Sequence, residues 1–416
     1  MGYRAARMAG LAVLAACAWG AWRLWEHRQG QPLPAAAPQA PGEELALASR
    51  AAVLMDYQSG RVLYAKNAEE PLAPASITKV MTLMLALEAI QQGKASLADE
   101  VVASERAASM GGSQVWLEVG ERMPLRELLY AIAVGSANDA SVAVAEHLAG
   151  SEGAFVEWMN RRARELGMRH TRFANATGLP PEETGGAGPH AASAYDLAVL
   201  SRQAIRTPGL LEMVSTWEFT MRPQGLRKPV LYNFNRLLKR YRGVDGLKTG
   251  MTQQAGYCIA VTAVRDHLRL IAVTMGAPTA QAREQDVRTL LDWGFRRFEA
   301  RPLASAGQEV GWAEVARGQP RWVPLVLAED AYLTVERGTR LEVDLAPELP
   351  RRLQAPVRES DRVGVVRLVR RSDGQLVAEV EVRPRVASHR APAVTLIGRE
   401  WANFLKALAP VVAGGR

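Results

Sequence analysis

The sequence predicts an α+β domain built on an antiparallel sheet, then a small all-β domain and a C-terminal amphipathic helix. Three observations carry this. Strand-like runs stand at both ends of residues 49–300 and enclose a helical middle, the pattern of helices set against one antiparallel sheet. Across residues 301–390 apolar and polar residues alternate between turn signals such as Asp373-Gly374, the period of strands. The tail LIGREWANFLKALAPVV puts Ile397, Trp401, Phe404, Leu405 and Leu408 on one helical face. Arg399, Asn403 and Lys406 fall on the other side.

Residues 1–28 read as an export segment. Arg4 and Arg7 precede an uncharged, mainly apolar run, the layout of a secretory signal. An uncleaved anchor is the alternative, although the run is short for a full span. LAAC, ending at Cys17, resembles a lipoprotein cleavage box and leaves lipidation there as a further alternative. Residues 29–48 are rich in Pro, Ala and Gln and read as a linker. AAVLMDYQSGRVLYAKN, from Ala51, reads as two strands turning at Gln58-Ser59-Gly60. Helical patterns follow at 77–91, 125–133, 137–148 and 153–166. GYCIAVTAVRDHLRLIAVTMGAP is a strand pair turning near Arg265-Asp266-His267, and REQDVRTLLDWGFRRF a closing helix. The tail, residues 391–416, suits a membrane-surface helix; packing on the β-domain is the alternative.

A chain of 416 residues exceeds one ordinary core. Fifty-one Lys+Arg against 43 Asp+Glu give a net charge of +8, compatible with an anionic neighbour or with a merely basic surface. The chain has no dense Lys/Arg run interleaved with aromatics, which argues against nucleic acid. Its 2 cysteines make no disulfide framework, and Cys258, in an apolar run, reads as a small buried hydrophobe.

Within ASITKVMTLM, Ser76 and Lys79 lie three apart in an otherwise apolar run. Burying a hydroxyl without a partner costs about 1–3 kcal/mol and an amine more. The pair is therefore a satisfied structural contact or the chemistry of the protein. Two further motifs decide for chemistry: Ser136-Ala137-Asn138 at a helix start and Lys248-Thr249-Gly250 at a strand start. S-x-x-K, S-x-N and K-T-G in this order mark serine acyl-transferring enzymes that react with penicillin. A serine hydroxyl needs a base within hydrogen-bond reach, and a residue one turn away reaches it. Lys79 must then be neutral near pH 7, far below its usual pKa of about 10.4. Burial and a second cation, Lys248, both act in that direction. Ser136 suits a proton relay to the leaving amine, Asn138 a hold on the substrate backbone, and Lys248 with Thr249 a carboxylate site. Gly250 lets a peptide lie against the strand as an added edge.

DYQSGRVLYAKNAEEPLAPASITKVMT, GSANDASVAVAEHLAG, HAASAYDLA, GVDGLKTGMT and LLDWGFRRFE resemble the low-molecular-mass penicillin-binding proteins. The nearest likeness is to the serine-type D-alanyl-D-alanine carboxypeptidases of the S11 peptidase class. The resemblance runs from about residue 51 to the C-terminus and implies a β-lactamase/transpeptidase-like fold with a small β-domain and a terminal membrane helix. It implies an exported enzyme at the periplasmic face of the cytoplasmic membrane that removes the terminal D-alanine of peptidoglycan stem pentapeptides. β-Lactams would be covalent inhibitors. It further implies an oxyanion hole from the backbone N–H groups of Ser76 and Met251, and carboxylate recognition by Arg283, whose alternative is a solvated helix-start cation. Several members carry histidine where Met251 stands, so only a backbone role carries over. His190 matches a family position and reads as structural. No cofactor, metal cluster or nucleotide fingerprint is implied. Rival readings are a β-lactamase with Glu182 or Glu183 activating water, a D,D-endopeptidase, and a non-catalytic wall-binding scaffold.

Overall fold

The computed structural model describes residues 45–186, 188–222 and 228–402. The export segment with Cys17, and Phe404, Leu405, Lys406 and Leu408 of the tail, lie outside the described residues. The chain divides into two compact units between Arg297 and Phe298, three residues before the boundary expected from sequence.

In the first unit β1 (Ala51–Asp56) and β2 (Val62–Lys66) form the expected hairpin. The Asp56 carboxylate accepts from the Ser59 N–H at 2.8 Å, and Gly60 takes φ +76° to close the turn. The helical layer comprises α1 (Lys79–Gln91), α2 (Leu125–Gly135), α3 (Asn138–Ala149), α4 (Glu152–Glu165) and α5 (Ala194–Arg206). Then β3 (Val244–Thr252), β4 (Gly256–Arg265) and β5 (Leu268–Ala277) complete an antiparallel sheet of order β2-β1-β5-β4-β3. Asp266 and His267, both at positive φ, make the two-residue turn between β4 and β5. The closing helix α6 (Ala280–Arg297) covers one sheet face.

The central strands read as unbroken apolar runs because both faces are covered. Val53, Met55, Ile271 and Val273 join the helical core, while Leu54 and Leu270 meet α6 at Gly294. There a Cβ would sit 2.7 Å from each of those side chains. From Lys79 to Leu87 α1 is buried on every side, which makes it the axis of the domain. Cys258 is buried as expected, and burial pushes its thiol up to about 11.

Two local expectations are corrected. The linker does not run to residue 48: Leu45 and Leu47 are buried, and the Ala48 N–H donates to Asp286 at 3.1 Å. The Leu47 carbonyl accepts from Lys66 at 2.7 Å. The helix expected from residue 77 begins instead as a 3-10 turn, Ala75–Thr78, and becomes α-helical only at Lys79.

In the second unit Phe298–Ala304 pairs with Ala331–Glu336. A six-stranded sheet runs in space Val343–Glu348, Gly364–Arg370, Leu376–Pro384, Trp322–Leu327, Glu309–Ala316, Arg352–Gln354. Val366 with Leu368, and Val380 with Val382, sit two apart and face one core. Residues 393–402 are helical, with Val394, Ile397 and Trp401 exposed, while Arg399 donates to the Gly318 carbonyl at 2.9 Å. Among the described residues no helix is long and apolar enough to cross a membrane.

Candidate active site

Ser76 sits in the 3-10 turn ahead of α1, where side chains three apart eclipse one another. The turn enters through Ala75 at φ +47°, a left-handed conformation that costs an alanine about 1 kcal/mol or more. Its surroundings hold it there. Gly178, at φ +87°, lies so close that a Cβ would fall 1.9 Å from the Ala75 carbonyl oxygen. On the strand side, a Cβ on Gly250 would stand 3.0 Å from the Ser76 nitrogen and from the Pro74 carbonyl oxygen. The serine is thus clamped between a turn and β3.

The Lys79 amine is fully buried and has three neighbours: Ser76 Oγ at 3.0 Å, Asn138 Oδ1 at 2.7 Å and the Thr177 carbonyl at 2.6 Å. Burial first, and the charge of Lys248 second, lower its pKa well below the ordinary value, against an opposing pull from Asp139. A neutral amine has two N–H bonds and one lone pair. Asn138 Oδ1 and the Thr177 carbonyl can only accept, so they take the two hydrogens. The lone pair is left for the one neighbour that can donate, the Ser76 hydroxyl. A neutral Lys79 in this geometry has its lone pair available to the Ser76 hydroxyl at 3.0 Å.

Both acceptors are themselves fixed. Asn138 Nδ2 donates to the Gly111 carbonyl at 2.7 Å, which settles which way its amide points. Thr177 lies in the turn Asn175-Ala176-Thr177-Gly178, where Asn175 Oδ1 accepts from the N–H groups of Thr177 and Gly178 at 3.1 and 2.7 Å. Thr82 on α1 donates to the Ala176 carbonyl at 2.8 Å. His190 closes the shell: its Nδ1 accepts from the Ala174 N–H at 3.2 Å, so the network assigns the proton to Nε2, which donates to Thr78 Oγ1 at 2.8 Å. Burial and the nearby Lys79 charge lower its pKa to about 4, and it stays neutral. Sequence reasoning missed Thr177, Asn175 and Gly178. Their signal was a turn-forming NATG with no side chain aimed at the chemistry.

Ser136 terminates α2 in the left-handed region, φ +58°, and is buried at 4 % exposure. Among the described residues its hydroxyl makes no hydrogen bond to either lysine. On β3, the edge strand of the sheet, Lys248 and Thr249 are buried. Lys248 donates only weakly, to the Thr249 carbonyl at 3.2 Å. Burial, then Arg283, bring its pKa down to about 7. Arg283 is buried on α6, with Glu284 no nearer than 4.0 Å and its Nε–H without a partner. Two adjacent buried cations with unspent donors form a site for an anion. Met251 exposes 57 % of its surface. Glu182 and Glu183 are exposed on the short helix Pro181–Thr184. Among the described residues no group of His, Cys, Asp and Glu could hold a metal.

The D-alanyl-D-alanine carboxypeptidase model of the S11 peptidases matches residues 35–279. The chain belongs to the S11 D-alanyl-D-alanine carboxypeptidases. The family to which the motifs pointed is the one found, and with it the fold and the enzyme class, a serine carboxypeptidase. The C-terminal domain of penicillin-binding protein 5 matches residues 298–391. This carboxypeptidase is 39% identical over 366 residues to D-alanyl-D-alanine carboxypeptidase DacF of Bacillus subtilis, covering 87% of this chain and 92% of that one. It is 33% identical to DacA of Escherichia coli over 83% of this chain and 84% of that one. Among solved structures, penicillin-binding protein 5 from Haemophilus influenzae superposes with a TM-score of 0.63 at 33% identity, over 84% of this chain and 99% of that one. Penicillin-binding protein D2 from Listeria monocytogenes, solved in its ampicillin-bound form, aligns with a TM-score of 0.54 at 32% identity, over 61% of this chain and 100% of that one.

Proposed function

We propose that this carboxypeptidase releases D-alanine from peptidoglycan stem pentapeptides through an acyl-enzyme on Ser76. The stem peptide lies along the open edge of β3, beside Gly250, whose lack of a Cβ lets the strand approach the turn that carries Ser76. Its terminal carboxylate is held by Lys248, Thr249 and Arg283, and Asn138 steadies its backbone with its second amide hydrogen. Ser76 Oγ attacks the carbonyl carbon of the penultimate D-alanine while Lys79 Nζ takes the hydroxyl proton. The backbone N–H groups of Ser76 and Met251 stabilise the oxyanion. As the C–N bond breaks, a proton passes by way of Ser136 to the departing amine. Water then cleaves the ester and restores Ser76. The relay requires Ser136 to engage on substrate binding, since its hydroxyl bonds neither lysine in the free enzyme. β-Lactams acylate the same serine.

One observation carries this reading: the buried Lys79 amine lies 3.0 Å from Ser76 Oγ, and its two other neighbours, Asn138 Oδ1 and the Thr177 carbonyl, can only accept. As a cell-wall enzyme the protein is exported. We place it at the periplasmic face of the cytoplasmic membrane, with the C-terminal helix lying on the lipid surface. Exposed Ile397 and Trp401 support that placement. The test is intact-mass spectrometry after penicillin treatment, together with D-alanine release from a muramyl pentapeptide. Ser76→Ala is expected to abolish both. A penicilloyl adduct on that variant would reject the assignment.

A further inference from the structure

Trp116 stands at φ +53°, a region where a bulky side chain is a true outlier. Its neighbours are pinned: the Val115 and Leu117 N–H groups donate to the buried Asp139 carboxylate at 2.9 and 3.1 Å. The turn before it is tied to Asn138, whose amide donates to the Gly111 carbonyl and whose backbone N–H donates to the Ser113 carbonyl, both at 2.7 Å. The loop is therefore fastened to the two residues that open α3, one of which bonds Lys79. Yet the Trp116 side chain is 68 % exposed. With the Gln114 amide turned to satisfy its neighbours, its oxygen accepts from the indole Nε1–H at 3.2 Å and its nitrogen donates to the Met110 carbonyl at 2.6 Å. The polar edge of the ring is satisfied while the side chain stays in solvent. A strained backbone, a satisfied indole N–H and an exposed aromatic side chain, on a loop tied to the Asn138 that bonds Lys79, point to stacking on a ligand.

We propose that Trp116 is a positioning residue that stacks on a neutral amino-sugar ring of the glycan strand from which the stem peptide hangs. This deepens the reading of Ser76 and β3 given above and rests on it. An acyl peptide of about four residues spans roughly 14 Å when extended, so the first sugar stays within the neighbourhood of the Ser76 site. Local charge favours a sugar over an acidic stretch of peptide, because Glu118 is exposed two positions on. Val119, 67 % exposed, widens the apolar surface.

The experiment compares kcat/KM for a disaccharide-pentapeptide, the same pentapeptide without sugar, and acylation by benzylpenicillin. Trp116→Ala is expected to lose about tenfold on the sugar-bearing substrate, through KM, and to stay within about twofold on the other two. Trp116→Phe should keep most of the sugar-dependent rate. Trp116→Gly relieves the backbone strain, so it should melt higher than Trp116→Ala and lose the same tenfold. Equal losses on both peptides would overturn the proposal in favour of contact with the peptide or a structural role. So would no loss at all, or recovery of the sugar-dependent rate in Trp116→Gly. Failure of the wild-type enzyme to acylate Ser76 or to cleave the sugar-free peptide would instead reject the underlying mechanism.

Discussion

Asn138→Asp changes one atom's chemistry and leaves the side chain's shape. In the native site a neutral amide oxygen lies 2.7 Å from the Lys79 amine. A carboxylate there attracts the ammonium form by about 6 kcal/mol at an effective dielectric of 20. About half of that is lost to desolvation of the new carboxylate and to its clash with the Gly111 carbonyl, which then faces an acceptor instead of a donor. The remaining ~3 kcal/mol corresponds to about two pH units. The sign is fixed, since a new negative charge favours the protonated lysine and a protonated lysine cannot accept the serine proton. The alkaline-going limb of acylation should therefore move up by about two pH units, so the reaction slows by up to about a hundredfold at pH values below the wild-type limb and recovers above the shifted one. Stopped-flow acylation by a chromogenic cephalosporin between pH 5 and 10 reads both quantities. A variant that is slower by the same factor at every pH would refute Lys79 as the base.

Lys248→Met removes a buried basic group that has no carboxylate partner among the described residues, so it should raise stability by about 1–3 kcal/mol in urea while abolishing recognition of the substrate carboxylate. In the wild type KM should rise as pH passes about 7, where Lys248 loses its charge. Gly178→Ala forces a Cβ to 1.9 Å from the Ala75 carbonyl and should cost more than about 3 kcal/mol. The control is Gly185→Ala, also at positive φ but with nothing within 4 Å, which should cost only about 1 kcal/mol in the same thermal melts. For His190 the folded pKa, about 4, lies below the ordinary 6.5, so the unfolded chain binds more protons between those values. Stability should accordingly fall as pH drops from 6.5 to 4. His190→Gln should flatten that slope in calorimetric scans, and an unchanged slope would show that His190 is not buried as described.

The parts of the site legible in sequence were those in which one side chain does one job at a local spacing. Ser76 and Lys79 are three apart, Ser136 and Asn138 two apart, and Lys248, Thr249 and Gly250 are consecutive, so each group needs only a short element to bring its atoms together. The fold was legible for the same reason. Apolar strand-like runs marked β4 and β5, and the otherwise apolar run around Ser76 and Lys79 marked a buried helix. Boundaries were less legible where a single backbone conformation decided them. Ala75 at φ +47° turns the expected helix start into a 3-10 turn, and nothing in ASIT announces it. Residues 45–48 read as linker by composition, and a hydrogen bond from Ala48 to Asp286, 238 positions away, with one from Lys66 to the Leu47 carbonyl, makes them part of the domain.

The acceptor that completes the base was the least legible feature, because it is a backbone carbonyl. Any residue at position 177 supplies one, and its direction depends on Asn175 and Gly178 shaping the turn beneath it. Without that carbonyl, the Lys79 amine would keep a second free N–H, and nothing would orient its lone pair toward Ser76. The S-x-x-K spacing delivers the lysine to the serine. In the proposed mechanism the amide of Asn138 and the Thr177 carbonyl take up the hydrogens of the neutral amine, and burial favours that neutral form.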